Sequence, residues 1–137
     1  MRKQSVVKVM VFVVAVVLTI AACSPAKPSG PTEVHGKLSE FKIELDKTSI
    51  PAGPVKFIFD NVGKEKHEVV LELAGDNDKP FEVNGKASEV EDIEPGQSAT
   101  LEWTIDQPGE YQLGCHINEN NEDHYASGMV TKFTVTQ

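Results

Sequence analysis

Apolar and polar residues alternate with period two through several short stretches of the chain. Phe41, Ile43 and Leu45 alternate with Lys42, Glu44 and Asp46, and Val55, Phe57 and Phe59 with Lys56 and Asp60. Leu101, Trp103 and Ile105 alternate with Glu102, Thr104 and Asp106. This pattern predicts half-buried strands. Further strands are expected over His67 to Leu73, Glu110 to Cys115 and Met129 to Thr136. Pro95-Gly96, Pro108-Gly109 and the stretch Pro51-Ala-Gly-Pro54 supply turn chemistry between them, with proline fixing φ and glycine free to take positive φ. Residues 74–92 are polar and aperiodic, which predicts a crossing loop with at most a short strand near Phe81. No stretch after the leader keeps a helical period over three turns. Short strands at even spacing predict an all-β sandwich, with Trp103 and Tyr111 in its core.

The first residues follow another logic. Arg2, Lys3 and Lys8 lead into an apolar run of 14 residues from Val9 to Ala22, short of the roughly 20 that a spanning helix needs. The run ends in Ile20-Ala21-Ala22-Cys23, which resembles the bacterial lipobox. That resemblance implies a lipoprotein signal peptide over residues 1–22 and a diacylglycerol-modified Cys23 as first residue of the mature chain. The Pro- and Ser-rich stretch that follows predicts a flexible linker over residues 23–37, with His35 as a solvated linker residue. Residues 38–137 then suffice for one domain. The expected location is extracytoplasmic, lipid-anchored to a bacterial membrane.

Removal of the leader takes away three basic residues and no acidic ones. Of 13 basic and 21 acidic residues, 10 and 21 remain, a net charge of −11. Nucleic acid and anionic lipid surfaces are poor partners for such a chain, and a basic protein face is a better one. With Cys23 lipidated, Cys115 is the one remaining thiol, and no intramolecular disulfide can form. A lone thiol in an oxidising compartment survives when it is buried or bound to metal.

By strand parity Tyr111, Leu113 and Cys115 share one face, as do Met129, Phe133 and Val135. Cys115 ends one strand, Met129 begins the next, and His124 stands between them. His67 opens an earlier strand and is the candidate from elsewhere in the fold. Taken singly, Cys115 reads as a buried thiol, Met129 as core filler and the histidines as surface residues. Taken together, two imidazoles, a thiolate and a weak thioether form the trigonal set with an axial ligand that suits copper as Cu(I) and Cu(II).

Two motifs carry a family resemblance. Asn61-x-Gly63-x-x-x-His67-Glu-Val-Val, and Tyr111-x-x-x-Cys115 with His124-Tyr-Ala-Ser-Gly128-Met129, resemble the ligand segments of the cupredoxins, the small blue copper proteins. The likeness covers the whole domain and implies a Greek-key β-sandwich. It also implies one copper ion held by His67, Cys115, His124 and Met129, the last as axial ligand. The chain departs from the family in its loop: eight residues separate Cys115 from His124, where some members read Cys-His-x-Pro-Gly-His. Four residues separate His124 from Met129 as in the family, which favours His124 over His116 as the ligand. His116 is left as an accessory metal or loop residue. The stretch Asn118-Glu-Asn-Asn-Glu-Asp123 predicts a solvated insertion, with an open and exchangeable site or a docking surface as the functional alternatives.

A binuclear copper centre needs a second loop cysteine, and multicopper oxidases need His-x-His pairs. Neither occurs, so the chain is expected not to be an enzyme. The leading expectation is a membrane-tethered carrier of single electrons that exchanges them with a redox protein or a membrane oxidase component. The alternative is a copper-binding protein for trafficking, sensing or buffering. A zinc enzyme built on Cys115 and two of His67, His116 and His124, with Glu119, Glu122 or Asp123 as base, and a copper-free adhesion or assembly module are the remaining readings.

Overall fold

The computed structural model describes residues 30–137. The expected leader, Cys23 and the first part of the expected linker, up to residue 29, lie outside the described residues. Thirteen strands and no helix make up the described part. Strands β1 (Thr32–Ser39), β2 (Lys42–Leu45), β4 (Gly53–Asn61) and β9 (Ser98–Ile105) form one sheet in the order β2-β1-β4-β9. Strands β3 (Ser49–Pro51), β5 (His67–Leu73), β8 (Glu89–Ile93), β10 (Gly109–Gly114) and β13 (Val130–Thr136) form the other, in the order β3-β13-β10-β5-β8. The expected all-β sandwich is the fold observed.

The predicted alternation fills the space between the sheets. Val55, Phe57 and Phe59 of β4 and Leu101 of β9 are buried against Leu71, Leu113 and Phe133 of the facing sheet. Phe57 meets Phe133 edge-on at 5.6 Å between ring centroids. Each such buried side chain contributes roughly 1.5–3 kcal/mol by leaving water. Tyr111 lies in this core and donates its hydroxyl to the Gln107 carbonyl at 2.8 Å. Trp103 was expected in the core and is only half-buried at its margin, on the edge strand β9.

Two boundaries differ from the sequence expectation. The sandwich starts at Thr32, six residues before Leu38, because β1 pairs in parallel with β4 from Thr32 opposite Val55 onward. His35 is therefore a strand residue, exposed as expected but not in a linker. The alternation of Val34 and Leu38 is hidden at Gly36, where a Cβ would lie 2.6 Å from the Phe59 ring. Residues 74–92 are likewise not a plain crossing loop. They carry a hairpin of β6 (Glu82–Val83) and β7 (Lys86–Ala87), and then β8, which pairs with β5. Asn84 and Gly85 turn that hairpin at φ 53 and 76, the geometry of a two-residue turn that suits the strand twist. Only Ile93 of β8 is buried, so this edge strand leaves no apolar alternation to read.

β5 and β10, at the middle of their sheet, are buried on both faces. The outward-facing Glu72 and Gln112 are covered by the segment after β5. Gln112 Nε2 reaches Glu72 Oε1 at 2.9 Å, the Asp76 carbonyl at 2.8 Å and the Tyr125 hydroxyl at 2.9 Å. The amide of Lys79 donates to Glu72 Oε2 at 3.0 Å. One sheet thus separates an apolar core from a buried polar layer, and Cys115 and His116 sit where the two meet.

Candidate metal centre

His67, Cys115 and His124 converge at one end of the sandwich. One ligand atom from each lies within 4.8 Å of the others, and all three residues are buried. Each arrives for a local reason. Cys115 follows Leu113 on the inward parity of β10 and is fully buried. His67 opens β5 beside an irregularity in its pairing with β8, a feature that re-aims side chains next to functional sites. Asn61 holds the preceding turn: its Nδ2 donates to the Glu65 and Ile93 carbonyls, both at 2.8 Å, and its Oδ1 accepts from the Gly63 amide at 2.9 Å. This is the structural content of the Asn61-x-Gly63 motif.

The spacing from His124 to Met129 is a closed turn. Asp123 starts it, accepting from the Ala126 amide through Oδ1 at 2.8 Å and from the Ser127 amide through its carbonyl at 2.9 Å. Gly128 completes it at φ 103, a backbone region that disfavours side chains. The Met129 amide then donates to the His124 carbonyl at 2.9 Å, and the Cys115 amide to the Met129 carbonyl at 3.0 Å. Met129, fully buried, is therefore tied by its backbone to two of the three converging residues.

The long loop resolves into a hairpin. β11 (Asn118–Glu119) pairs with β12 (Glu122–Asp123) across Asn120 and Asn121, whose φ values are 54 and 65. Because it closes on itself, the His124 amide still reaches the Ile117 carbonyl at 3.0 Å. Of the eight intervening residues, six form the exposed hairpin, and two, His116 and Ile117, remain to span the site. The insertion does not open the centre. His124 is only 3% exposed, with Phe41 edge-on at 4.9 Å.

Charge and hydrogen bonding fit a metal. Cys115 Sγ lies 3.4 Å from His124 Nδ1. Burial pushes the Cys115 thiol up, with the Glu68 and Ile117 amides acting in the opposite direction. Burial, and next the neighbouring His124, hold His67 below its ordinary value, so its imidazole is neutral near pH 7. Both His67 nitrogens are buried without a hydrogen-bond partner among the described residues, and Glu40 Oε1 approaches Nε2 no closer than 3.5 Å. Buried polar nitrogens are almost always partnered. Two imidazoles and a thiol converging with such a deficit form the donor set of a soft or borderline transition metal.

His116 is not part of this group. Its ring stacks on Tyr125 at 4.5 Å, and its Nε2 lies 3.0 Å from Glu72 Oε1 on the outer face of the sheet. Residue 116 has the opposite strand parity to Cys115, which places it in the polar layer. The sequence reading missed Glu40, Phe41 and Glu65, which surround the two imidazoles. Glu65 Oε2 lies 3.4 Å from His124 Nε2. Phe41 falls on the apolar period of Ile43 and Leu45, which marks it as a strand residue and not as a neighbour of the site, and Glu40 and Glu65 fall on no ligand spacing, so only their position in space identifies them.

Comparison with known proteins agrees with this arrangement. A family model described as the cupredoxin-like domain matches residues 11–124. Among solved structures, auracyanin B aligns with a TM-score of 0.60 at 22% identity, over 83% of this chain and 94% of the other. Auracyanin A, described as a "blue" copper protein from the green thermophilic photosynthetic bacterium Chloroflexus aurantiacus, aligns with a TM-score of 0.56 at 19% identity, over 78% and 100%. Dithionite-reduced auracyanin from the photosynthetic bacterium Roseiflexus castenholzii gives 0.55 at 21% identity, over 78% and 97%. At these identities the structures speak for the fold, and the family match covers most of the sequence. With His67, Cys115 and His124 gathered as a single copper site requires, the chain belongs to the cupredoxin-like family.

Proposed function

We propose that this protein is a membrane-tethered, extracytoplasmic type 1 copper protein that carries single electrons without transforming a substrate. The observation that carries this reading is the convergence of three buried donor atoms within 4.8 Å, with both His67 nitrogens lacking hydrogen-bond partners among the described residues. His67, Cys115 and His124 would hold the metal, with Met129 as the weak fourth ligand. Bound copper supplies one-electron redox chemistry, alternating between Cu(I) and Cu(II).

The chain's own residues provide the rest. Cys115 gives up its thiol proton on binding, so loading releases a proton. The two sheets fix β5, β10 and β13 relative to one another, which limits movement of the ligands between oxidation states. Phe41 packs edge-on against His124, and His67 and His124 are 0% and 3% exposed, which limits contact of the imidazoles with water. His124 lines a surface groove of about 200 Å³ together with Glu65, Lys66, Glu119 and Glu122, and its Nε2 lies 3.4 Å from Glu65 Oε2, so this imidazole would lead an electron toward a docked partner. The acidic rim suits a redox protein or membrane oxidase component with a basic docking face. Cys23, once lipidated, would anchor the chain at the outer side of a bacterial membrane, with a linker up to the start of the sandwich.

The test is one equivalent of Cu(II) and a visible spectrum, before and after ascorbate. An intense thiolate-to-copper band that bleaches on reduction and returns on oxidation is expected, and it is absent in Cys115→Ser. Copper bound without such a band, or a band that does not cycle, would overturn electron transfer. Release of the metal to a Cu(I) chelator during cycling would turn the assignment to copper trafficking, against the burial of His124.

A further inference from the structure

Glu40 lies on the connection between β1 and β2, far in sequence from the converging residues, yet its carboxylate is at their edge. Oε1 accepts from the Lys64 amide at 2.6 Å and the Glu65 amide at 2.9 Å. Two backbone donors therefore fix where this oxygen sits, 3.5 Å from His67 Nε2. Gly63 is part of the fit, because a Cβ at that position would collide with Glu40 Oε1. The glycine of the Asn61-x-Gly63 motif thus makes room for a carboxylate. Burial opposes the charge on Glu40, and the amides of Lys64 and Glu65 outweigh it, holding the carboxyl below its ordinary range.

Glu65 provides an internal contrast. It approaches His124 Nε2 at 3.4 Å, but its side chain is 43% exposed, against 29% for Glu40, and its own carboxylate accepts no amide hydrogen bond among the described residues. Both imidazoles therefore meet a glutamate at Nε2, and only one of the two glutamates is anchored.

We propose that Glu40 is a positioning residue for His67: its anchored carboxylate takes the Nε2 hydrogen of the imidazole and leaves Nδ1 as the nitrogen that faces Cys115 and the metal. A shift of about 0.5 Å brings the pair into hydrogen-bond range. A carboxylate behind a metal-binding imidazole fixes its tautomer and raises its basicity. It also places a negative charge near the centre, which favours Cu(II) over Cu(I) and lowers the reduction potential. The proposal rests on the copper reading only for its effect on the potential; the tautomer is a property of the metal-free chain.

The experiment uses the full-length chain with Glu40→Gln, Glu40→Ala, Gly63→Ala and, as control, Glu65→Gln. In the metal-free wild type, nitrogen-15 NMR of His67 is expected to show the Nε2–H tautomer, and Glu40→Ala is expected to show a mixture of tautomers. After copper loading, Glu40→Gln, which keeps shape and an acceptor oxygen but loses charge, is expected to bind copper within a few-fold of wild type at a raised reduction potential. Glu40→Ala is expected to lose ten- to 100-fold in copper affinity. Gly63→Ala, which displaces the carboxylate without removing it, should raise the potential in the same direction, and Glu65→Gln should raise it less because solvent screens that charge. If Glu40→Ala fails to fold, Glu40→Gln and Gly63→Ala still decide. An unchanged His67 tautomer, or a potential that Glu40→Gln leaves at the wild-type value, overturns the proposal. A wild type that shows the tautomer but takes up no copper overturns the copper reading and leaves the positioning role standing.

Discussion

Two histidines with covered side chains lie on opposite sides of the same sheet and have opposite environments. His67, at the start of β5, faces inward, and neither of its nitrogens has a hydrogen-bond partner among the described residues. His116, just past β10, faces outward into a satisfied layer: its amide donates to Glu68 Oε1 at 2.8 Å, its Nε2 meets Glu72 and its ring stacks on Tyr125. An imidazole completed by its neighbours contributes to the fold. One left incomplete in a buried site contributes little to folding and is explained by what it binds.

The comparison breaks most sharply at the thiol between the two faces. Cys115→Ser is expected to abolish the charge-transfer band altogether, because the hydroxyl neither supplies the thiolate charge nor matches its affinity for copper. Retention of an intense band in that variant would remove the site from this end of the sandwich.

Next come the two histidines themselves, substituted in parallel. His67→Leu is expected to lose more than about 100-fold in copper affinity, beyond the loss typical of outer partners. The metal-free protein should stay within about 1 kcal/mol of wild type, because the unsatisfied Nδ1 leaves the interior while Glu40 keeps its two amide donors. His116→Leu is expected to do the reverse: it keeps the band and costs about 1–3 kcal/mol in chemical denaturation, since Glu72 loses a partner while fully buried. If both variants lost copper equally, the distinction between a ligand and a structural histidine would collapse.

The same contrast bears on how much could be read from the sequence. The strands of the core, the inward parity of Cys115 and the four-residue spacing to Met129 were legible because alternation and spacing are local. The start at Thr32 was not, because Gly36 removes the side chain that would have shown the period. β8 was not, because an edge strand with one buried residue has no apolar face. The hairpin 118–123 reads as a loop disruption, yet Asn120 and Asn121 turn it back on itself, and the backbone bond from His124 to Ile117 survives. Glu40 is invisible in the sequence because its role depends on a contact 27 residues away in the chain, at His67.

A smaller effect follows from pH at His67. Burial holds the folded His67 below its ordinary value near 6.5. Its neutral form is therefore favoured by folding, and the unfolded chain binds the proton more readily. The stability that this group contributes is fully present above pH 6.5 and is lost as pH falls through the depressed folded value. Melting of the metal-free protein between pH 7 and pH 4 should show a loss of stability that is reduced in His67→Leu. An unchanged acid limb in that variant would assign the loss to other groups.

The smallest effect concerns the exposed hairpin, where the site meets a partner. Glu119 pairs with Lys66 at 3.5 Å, and Lys66 also pairs with Asp92 at 3.2 Å, all on the surface, where such pairs are worth about 0–1 kcal/mol. The closure of His124 depends instead on the backbone bond to Ile117 and on the turn capped by Asp123. Glu119→Gln with Glu122→Gln should therefore leave the band unchanged and stability within about 0.5 kcal/mol. What should change is the encounter with a cationic redox protein, because these carboxylates rim the groove that His124 lines. Stopped-flow electron exchange is expected to slow by a few-fold to about tenfold at low ionic strength, with the two proteins converging at about 1 M salt. A band that shifts in the double variant would make the hairpin part of the metal's enclosure. Rates that remain equal at every ionic strength would place the docking face elsewhere on the sandwich.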